Sequence, residues 1–155
     1  MAASHVDFMR RWFAEVWDCG RSEAIDELLA PSGRIHGLGD PDQIVIGPAG
    51  FRPFWAQFCD TFPERHFVVE DGVESGDRVA IRWRARLLHG GNAMGTQATN
   101  KWVEITGIAF AYVRNGQLQE GWNNWDSLEL ARAIDALAPI QPYVPRTTQT
   151  TNEGR

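Results

Sequence analysis

The sequence lacks the features that mark several common classes of protein. It has two cysteines, no CxxC motif and no cluster of cysteine and histidine, so we expect no metal site. Its 15 Lys and Arg stand against 20 Asp and Glu without a basic run, which argues against a nucleic-acid or membrane partner. No stretch approaches the ~18 apolar residues of a membrane span, and no secretion signal is visible. We therefore expect a cytoplasmic protein in which Cys19 and Cys59 are buried free thiols.

Aromatic residues, in contrast, are abundant. The 155-residue chain holds seven Trp and eight Phe, while its hydrophobic content of 43% and charged content of 23% are ordinary for a globular protein. The length suits one domain with a sizeable core, in which large rings can fill space, line a cavity or build an interface. We expect this domain to span residues 1–140, followed by a disordered polar tail at residues 141–155.

The first part of the chain predicts three helices and one short strand. Residues 4–18 carry apolar side chains at helical spacing, with Ser4 as the N-cap. A short helix at residues 22–29 and a strand at residues 34–38 follow, and a third helix begins at Pro48. The wide apolar stripe of the first helix indicates that it packs on a broad surface such as a sheet.

From residue 65 the apolar pattern changes from helical spacing to alternation. Residues 65–73, 78–88, 101–114 and 117–125 predict four antiparallel strands, and residues 127–137 predict a closing helix. Helices gathered before a run of strands indicate an α+β fold. A long antiparallel sheet of this kind can curl around the helices and leave a cavity.

The dipeptide Asn115-Gly116 predicts a two-residue hairpin turn that fixes the register of the last two strands. In that register Ile108 lies opposite Asn123, and directly opposite residues share one face of the sheet. The other face is small and apolar at residues 107, 109 and 111, which suits close packing against another sheet or a second subunit. A one-residue bulge would exchange the two faces on one strand. We expect the first face to line the cavity; it comprises Glu104, Thr106, Ile108, Phe110, Tyr112, Gln119, Gly121, Asn123 and Trp125.

Two segments resemble a known family. The segments GPAGFRPFWAQFCDTFPERHFVVEDGVESGDRVAIRW and ITGIAFAYVRNGQLQEGWNNWD look like the SnoaL-like polyketide cyclases of the nuclear-transport-factor-2-like superfamily. The resemblance covers residues 5–138 and implies a cone-shaped α+β fold, with a curved antiparallel sheet wrapped around the N-terminal helices and enclosing a cavity. It also implies a homodimer through the outer face of the sheet and no cofactor. The superfamily hosts cyclases, isomerases, dehydratases, epoxide hydrolases and non-enzymatic binders, so the resemblance specifies the fold more closely than the reaction.

The resemblance implies a carboxylate on the last strand as general acid/base, faced by a histidine on the neighbouring strand. In this sequence the two positions fall at Asn123 and Ile108. An amide exchanges no proton near neutral pH, although it can donate a hydrogen bond to a carbonyl or enolate oxygen. The sequence therefore departs from the cyclase pattern at both positions.

Three further residues are candidates to move a proton. Asp126 is either the cap of the last helix, in the capping box Asp126-Ser127-Leu128-Glu129, or an acid at the cavity mouth. Glu104 is either a general base with a raised pKa or part of a rim salt bridge. His36, on the short first strand, either reaches the cavity or is a hydrogen-bonded structural histidine. We expect His66 and His89 to be exposed.

The expected ligand is a small hydrophobic or aromatic, polyketide-like molecule. The first hypothesis is a cofactor-independent cyclase, isomerase or lyase, in which Asn123 polarises a carbonyl and Glu104, His36 or Asp126 moves the proton. The second is a binding protein without turnover, and the third is an interaction dimer whose cavity is packed shut. The expected ligand-contacting side chains are Trp12, Phe54, Phe58, Trp83, Thr106, Ile108, Phe110 and Trp125.

Overall fold

The computed structural model describes residues 4–40 and 42–136. The first helix continues without a break into a π-helical segment, Phe13–Asp18. The predicted α+β class is confirmed, whereas the predicted tail at residues 141–155 lies outside the described part of the chain. The helices are α1 (His5–Trp12), α2 (Ser22–Leu28), α3 (Gly47–Thr61) and α4 (Ser127–Ala133). The strands are β1 (Leu29–His36), β2 (Val45–Ile46), β3 (Glu64–Ser75), β4 (Arg78–Leu88), β5 (Trp102–Arg114) and β6 (Gln117–Trp125).

A curved, unclosed six-stranded sheet in the order β2-β1-β6-β5-β4-β3 forms one wall of the molecule. Strands β3 to β6 are antiparallel neighbours, as predicted, but β1 runs parallel to β6, so the sheet is mixed. The sequence predicted a strand at residues 34–38, which overlaps β1 only at residues 34–36. The pairing register shifts between Leu29 and Arg34, where Pro31 and Gly33 interrupt the strand pattern.

The core lies between the helices and the inner face of the sheet. Alternate side chains of β4 point inward, from Val79 through Trp83 to Leu87, as the sequence predicted. Helix α1 and its π-helical extension pack on β3 and β4, and α3 packs on β1. Phe13 and Trp17 of the π-helical segment are four residues apart, and both are buried.

The β5–β6 hairpin contains a bulge that shifts its register by one residue. Near the turn, Arg114 pairs with Gln117, as the Asn115-Gly116 dipeptide predicts. The register then shifts, and Gln119 is the extra residue on β6. A regular register would turn the carboxylate of Glu120 into the apolar interior, where an unpaired charge is costly. The bulge keeps Glu120 on the outer face instead.

The bulge makes the predicted cavity face wrong for β5 and correct for the distal part of β6. Asn123 lies opposite Ala109, not opposite Ile108. Glu104, Thr106 and Ile108 are exposed on the outer face, while the small apolar residues of β5 point inward. On β6, Gly121, Asn123 and Trp125 border the interior.

Three expectations about single residues are also wrong. His89, expected to be exposed, is fully buried, and its two ring nitrogens lie 3.0 Å from the hydroxyl oxygens of Thr96 and Thr99. Cys19 is exposed and Cys59 is half-buried, whereas both were expected to be buried; both are free thiols, as predicted.

No helix within the described residues is long and apolar enough to cross a membrane.

Candidate ligand-binding cavity

A partly enclosed cavity of about 60 Å³ lies between the helices and the inner face of the sheet. Ligand pockets commonly measure roughly 300–1,000 Å³, so a ligand of more than a few atoms requires the wall to adjust. The wall is mainly aromatic and includes Trp12, Trp17, Phe54, Phe58, Trp83 and Trp125.

Among the residues that the structure describes, no side chain that lines the cavity is ionisable. Asn123 contributes the single amide, and indole N–H groups are the other polar side-chain groups of the wall. Within the described residues, no group of three or more His, Cys, Asp or Glu side chains is placed to hold a metal ion. The described wall therefore offers mainly apolar surface and one strong polar contact point.

The amide of Asn123 is fixed by a hydrogen bond from β4. The indole Nε1–H of Trp83 donates to Oδ1 of Asn123 over 3.2 Å. Trp83 is buried and lies beside the rings of Phe13 and Phe67, at centroid distances of 5.5 and 5.7 Å. These contacts restrict the indole, so the donor stays aimed at Asn123.

Two glycines allow this arrangement. Gly107 of β5 lies opposite Trp83, and a Cβ there would lie 2.4 Å from Cζ2 of the indole. Gly37 follows β1 at φ +75°, and a Cβ there would lie 2.1 Å from the carbonyl oxygen of Asn123. The carbonyl of Gly37 also accepts a 3.0 Å hydrogen bond from Nε1 of Trp125. Asn123 is thus held at its side chain and at its backbone.

The structure brings most of the expected ligand-contacting residues to the cavity. Phe110 borders the cavity, but its strand alternation and its 37% exposure place its ring on the outer face of the sheet. Thr106 and Ile108 lie outside, because the bulge reverses the face assignment of β5. The sequence prediction omitted Phe13 and Trp17, although their i, i+4 spacing indicated a shared face. The expected residues in the cavity wall are Trp12, Phe54, Phe58, Trp83 and Trp125.

Thr106 and Ile108 instead border a second concavity, an open groove of about 480 Å³ on the outer face of the sheet. The groove also contains Asp126 and the Arg82–Glu70 ion pair. A ligand in this groove would remain in contact with water, which weakens both burial and electrostatic attraction. The enclosed cavity is therefore the better candidate for small-molecule binding, although it is the smaller of the two.

Two of the candidate proton-transfer residues do not reach the enclosed cavity. Asp126 caps α4, where its Oδ1 accepts a 3.0 Å hydrogen bond from the backbone N–H of Glu129, as the capping box predicts. Glu104 is exposed on the outer face, opposite Arg86 of β4. Neither carboxylate lines the cavity wall.

His36 also lies on the outer face, because its neighbour Ile35 fills the inward position of β1 opposite Gly121. Its Nε2 lies 2.8 Å from Oε1 of Glu120, and its ring stacks on Trp122 at a centroid distance of 4.9 Å. The structure therefore agrees with the second of the two interpretations of His36, a hydrogen-bonded structural histidine. The structure does not bring His36, Glu104 and Asn123 together.

An outer aromatic surface covers the opposite side of the sheet. The rings of Phe110 and Tyr112 contact Trp122 at centroid distances of 5.9 and 5.7 Å. Ile108 is 57% exposed and Trp102 is 40% exposed. Exposed apolar residues that adjoin one another on one sheet face are typical of an interaction surface. We define this outer aromatic surface as Trp102, Ile108, Phe110, Tyr112 and Trp122.

The family model and the solved structures that match this chain point to the same family. The family model of the SnoaL-like polyketide cyclases matches residues 7–134. Similar solved structures include two provisionally named polyketide cyclases, from Jannaschia sp. CCS1 (24% identity, TM-score 0.75) and Acidithiobacillus ferrooxidans (23% identity, TM-score 0.73). Each of these alignments covers 89% of this chain and 99% of the other.

A third similar structure is IdmH from Streptomyces antibioticus, also a provisionally named polyketide cyclase. It is 28% identical with a TM-score of 0.71, and the alignment covers 86% of this chain and 97% of IdmH. A search of curated protein sequences found no match.

Proposed function

Because this chain belongs to the SnoaL-like polyketide cyclase family, we propose that it binds a small hydrophobic or aromatic, polyketide-like molecule in its enclosed cavity. The composition of the cavity wall carries this proposal. Within residues 4–40 and 42–136, aromatic side chains surround one amide, Asn123, and no ionisable side chain borders the space. Such a wall favours an uncharged ring system, since a charged ligand would lose its hydration without gaining a counter-charge.

The same wall argues against acid/base catalysis by the candidate residues. A general acid or base has to come within about 2.6–3.2 Å of the proton that it moves, directly or through one water. Asp126, Glu104 and His36 all lie outside the cavity wall. Asn123 stands where the family resemblance places a carboxylate, and an amide does not exchange protons near neutral pH. Binding is therefore the function that the geometry supports best.

A second candidate function is a cofactor-independent cyclase, isomerase or lyase. Membership of the family and the hydrogen-bonding capacity of Asn123 favour it. In this scheme Asn123 donates a hydrogen bond to a carbonyl oxygen and stabilises the enolate that forms after an α-proton leaves. A water molecule or a basic group of the substrate carries that proton, because the wall provides no base.

Thermal unfolding with a panel of one-ring and two-ring ketones and phenols tests the binding proposal. Saturation at 100 times Kd adds about 2.7 kcal/mol to the free energy of unfolding and raises Tm. The informative variant is Asn123→Leu. Its matched control is Asn124→Leu, since Asn124 is the adjacent amide on the exposed outer face.

We expect ketones to raise the Tm of the wild type and of Asn124→Leu, and to raise the Tm of Asn123→Leu much less. Equal losses in the two variants, or no stabilisation of the wild type by any compound, would overturn the proposal. Mass spectrometry of the recovered compounds separates the two candidate functions, because only the enzyme converts its ligand.

The outer aromatic surface provides a basis for self-association. We propose that two copies of the chain pair through this surface, because a closed two-fold pair covers the same patch on both partners. Ile108 lies near the middle of the patch and is its most exposed apolar side chain. Pairing through the outer face leaves the enclosed cavity of each subunit untouched.

A further inference from the structure

We infer that Trp83 is a positioning residue that sets the direction of the Asn123 amide and thereby selects ligands with a hydrogen-bond acceptor. This inference rests on the proposed binding function and specifies its ligand class. The selected molecule is an uncharged ring compound with a carbonyl or similar oxygen that faces Asn123.

The first step is the chemistry of the indole. The Nε1–H of Trp83 is a donor with no acceptor capacity, so only the oxygen of the Asn123 amide can pair with it. Because the amide is planar, fixing Oδ1 against Trp83 turns Nδ2 and its two N–H groups to the opposite side. The hydrogen bond therefore determines which end of the amide is available to a ligand.

The second step is the state of Nδ2. Within the described residues, the side chain of Asn123 makes one hydrogen bond, through Oδ1. No buried side-chain nitrogen or oxygen in that part of the chain lacks a partner, so Nδ2 is not a sealed, unsatisfied donor. Asn123 borders the cavity, and Nδ2 carries the two donors of its amide that make no hydrogen bond within the described residues.

The third step is the rigidity of Trp83. The indole is 3% exposed and lies across Gly107, where even a Cβ would collide with it. Phe13 and Phe67 flank it on the helix side. If the Asn123 amide flipped, the indole N–H would face an NH₂ group, leaving two donors opposed in a buried site. A ligand that offers only a donor would have to share Oδ1 with the indole N–H, whereas an acceptor meets the two unpaired N–H groups of Nδ2.

Three bicyclic probes of similar shape separate the possibilities. The carbonyl of 1-indanone is an acceptor, indole is a donor only, and indene has neither group. We expect calorimetric titration of the full chain to show 1-indanone binding at least about tenfold more tightly than indole, because one net hydrogen bond to a buried partner is worth about that factor. Indole binding as tightly as 1-indanone would overturn the inference.

The variant Trp83→Phe keeps an aromatic ring but removes the N–H. The Asn123 amide is then free to turn, so we expect the preference for 1-indanone over indole to fall below about threefold. Because Trp83 also lines the cavity, the affinity of indene records the change in the apolar wall and serves as the reference. The matched control is Trp102→Phe on the outer face, which should keep the full preference. A full preference in Trp83→Phe would show that Trp83 does not orient the amide.

A second measurement tests the link without altering Trp83. The Nε1–H proton of Trp83 should shift in the NMR spectrum when Asn123→Leu removes its acceptor, and it should not shift in Asn124→Leu. An unchanged signal in Asn123→Leu contradicts the hydrogen bond.

Failure of all three probes, including indene, to bind would overturn the proposed function. Binding of the probes without a preference for 1-indanone would overturn only the role of Trp83, so the two results are distinguishable.

Discussion

The indole N–H of Trp83 reaches Oδ1 of Asn123 over 3.2 Å and joins β4 to β6 across the whole width of β5. Side chains two strands apart are normally separated by the side chain of the strand between them. Here the intervening position is Gly107, which lies opposite Trp83 on one side and Trp125 on the other. The absence of a side chain on β5 thus makes the only polar side-chain pair of the cavity wall possible.

Replacing Gly107 with alanine should therefore disturb this pair. The new Cβ would lie 2.4 Å from Cζ2 of Trp83, and the indole has little room to retreat. We expect Gly107→Ala to lower the free energy of unfolding by about 1–3 kcal/mol, as overpacked cores do. Urea unfolding measures this change.

The matched control is Gly121→Ala on the neighbouring strand. A Cβ at Gly121 meets its nearest atom at 3.6 Å, an ordinary contact, so this variant should lose less than about 1 kcal/mol. Equal destabilisation of the two variants would show that the position of the indole is not the cause.

The substitution Asn123→Asp introduces an ionisable group into a wall that has none. Burial in apolar surroundings should raise the pKa of this carboxyl above its ordinary value of about 3.9. Its folded-state pKa then exceeds its unfolded-state pKa, so the folded state binds more protons between the two values. Stability should therefore fall as pH rises through that window, by about 1.4 kcal/mol for each unit of pKa difference.

Urea unfolding of Asn123→Asp at pH 4 and pH 7, each compared with the wild type, measures this effect. The control is Asn124→Asp, whose carboxyl would be exposed and should show little pH-dependent loss. A loss in Asn123→Asp that is the same at both pH values would mean that the carboxyl stays hydrated.

The sequence predicted this fold well where local patterns decide it. Alternation in β4 and the Asn115-Gly116 turn gave the right strands, and helical spacing gave Trp12, Phe54 and Phe58 of the cavity wall. These features depend on neighbours within a few residues. The pairing of β1 with β6 depends on distant contacts, so it was not predictable from local patterns.

The prediction that Glu104 shares the cavity with Asn123 depended on a register that one residue changes. Without the bulge at Gln119, Asn123 would share a face with Glu104, and the two would have formed a plausible polar pair. The bulge separates them by the thickness of the sheet, because alternate residues of a strand point to opposite faces. The bulge also keeps the carboxylate of Glu120 out of the apolar interior, and this tertiary effect has no local sequence signal.

His89 provides a prediction for acid conditions. Burial lowers the pKa of its imidazole below the ordinary value of about 6.5. The backbone N–H of Thr99 donates to Nδ1 over 3.3 Å, which requires that nitrogen to be unprotonated. Since the unfolded state takes up the proton first, stability should be full above about pH 6.5 and decline as pH falls toward the lower folded-state pKa.

Urea unfolding between pH 7 and pH 5 tests this expectation in the wild type, in His89→Gln and in His66→Gln. His66 is largely exposed, with 67% of its side-chain surface accessible, and serves as the control. We expect the decline to be smaller in His89→Gln and unchanged in His66→Gln. Identical pH profiles for all three proteins would assign the acid sensitivity to other groups.

The proposed pairing through the outer aromatic surface predicts a change of mass in solution. The chain has a mass of 17.4 kDa, so light scattering should give about twice that value for the wild type. Ile108→Glu places a charge in the middle of the surface and should give the monomer mass. Ile46→Glu, at an equally exposed site on β2, should remain paired. A monomeric wild type at tens of micromolar would contradict the proposal.

The bulge at Gln119 also affects how relatives of this protein should be compared. Deleting Gln119 would restore a regular hairpin and leave every inner position of β6 where it is, because the extra residue has no partner on β5. Two relatives can therefore differ by one residue between the turn and the cavity and still present the same wall. The position equivalent to Asn123 is found reliably by counting back from the Asp126 helix cap, whereas counting forward from the turn selects its neighbour.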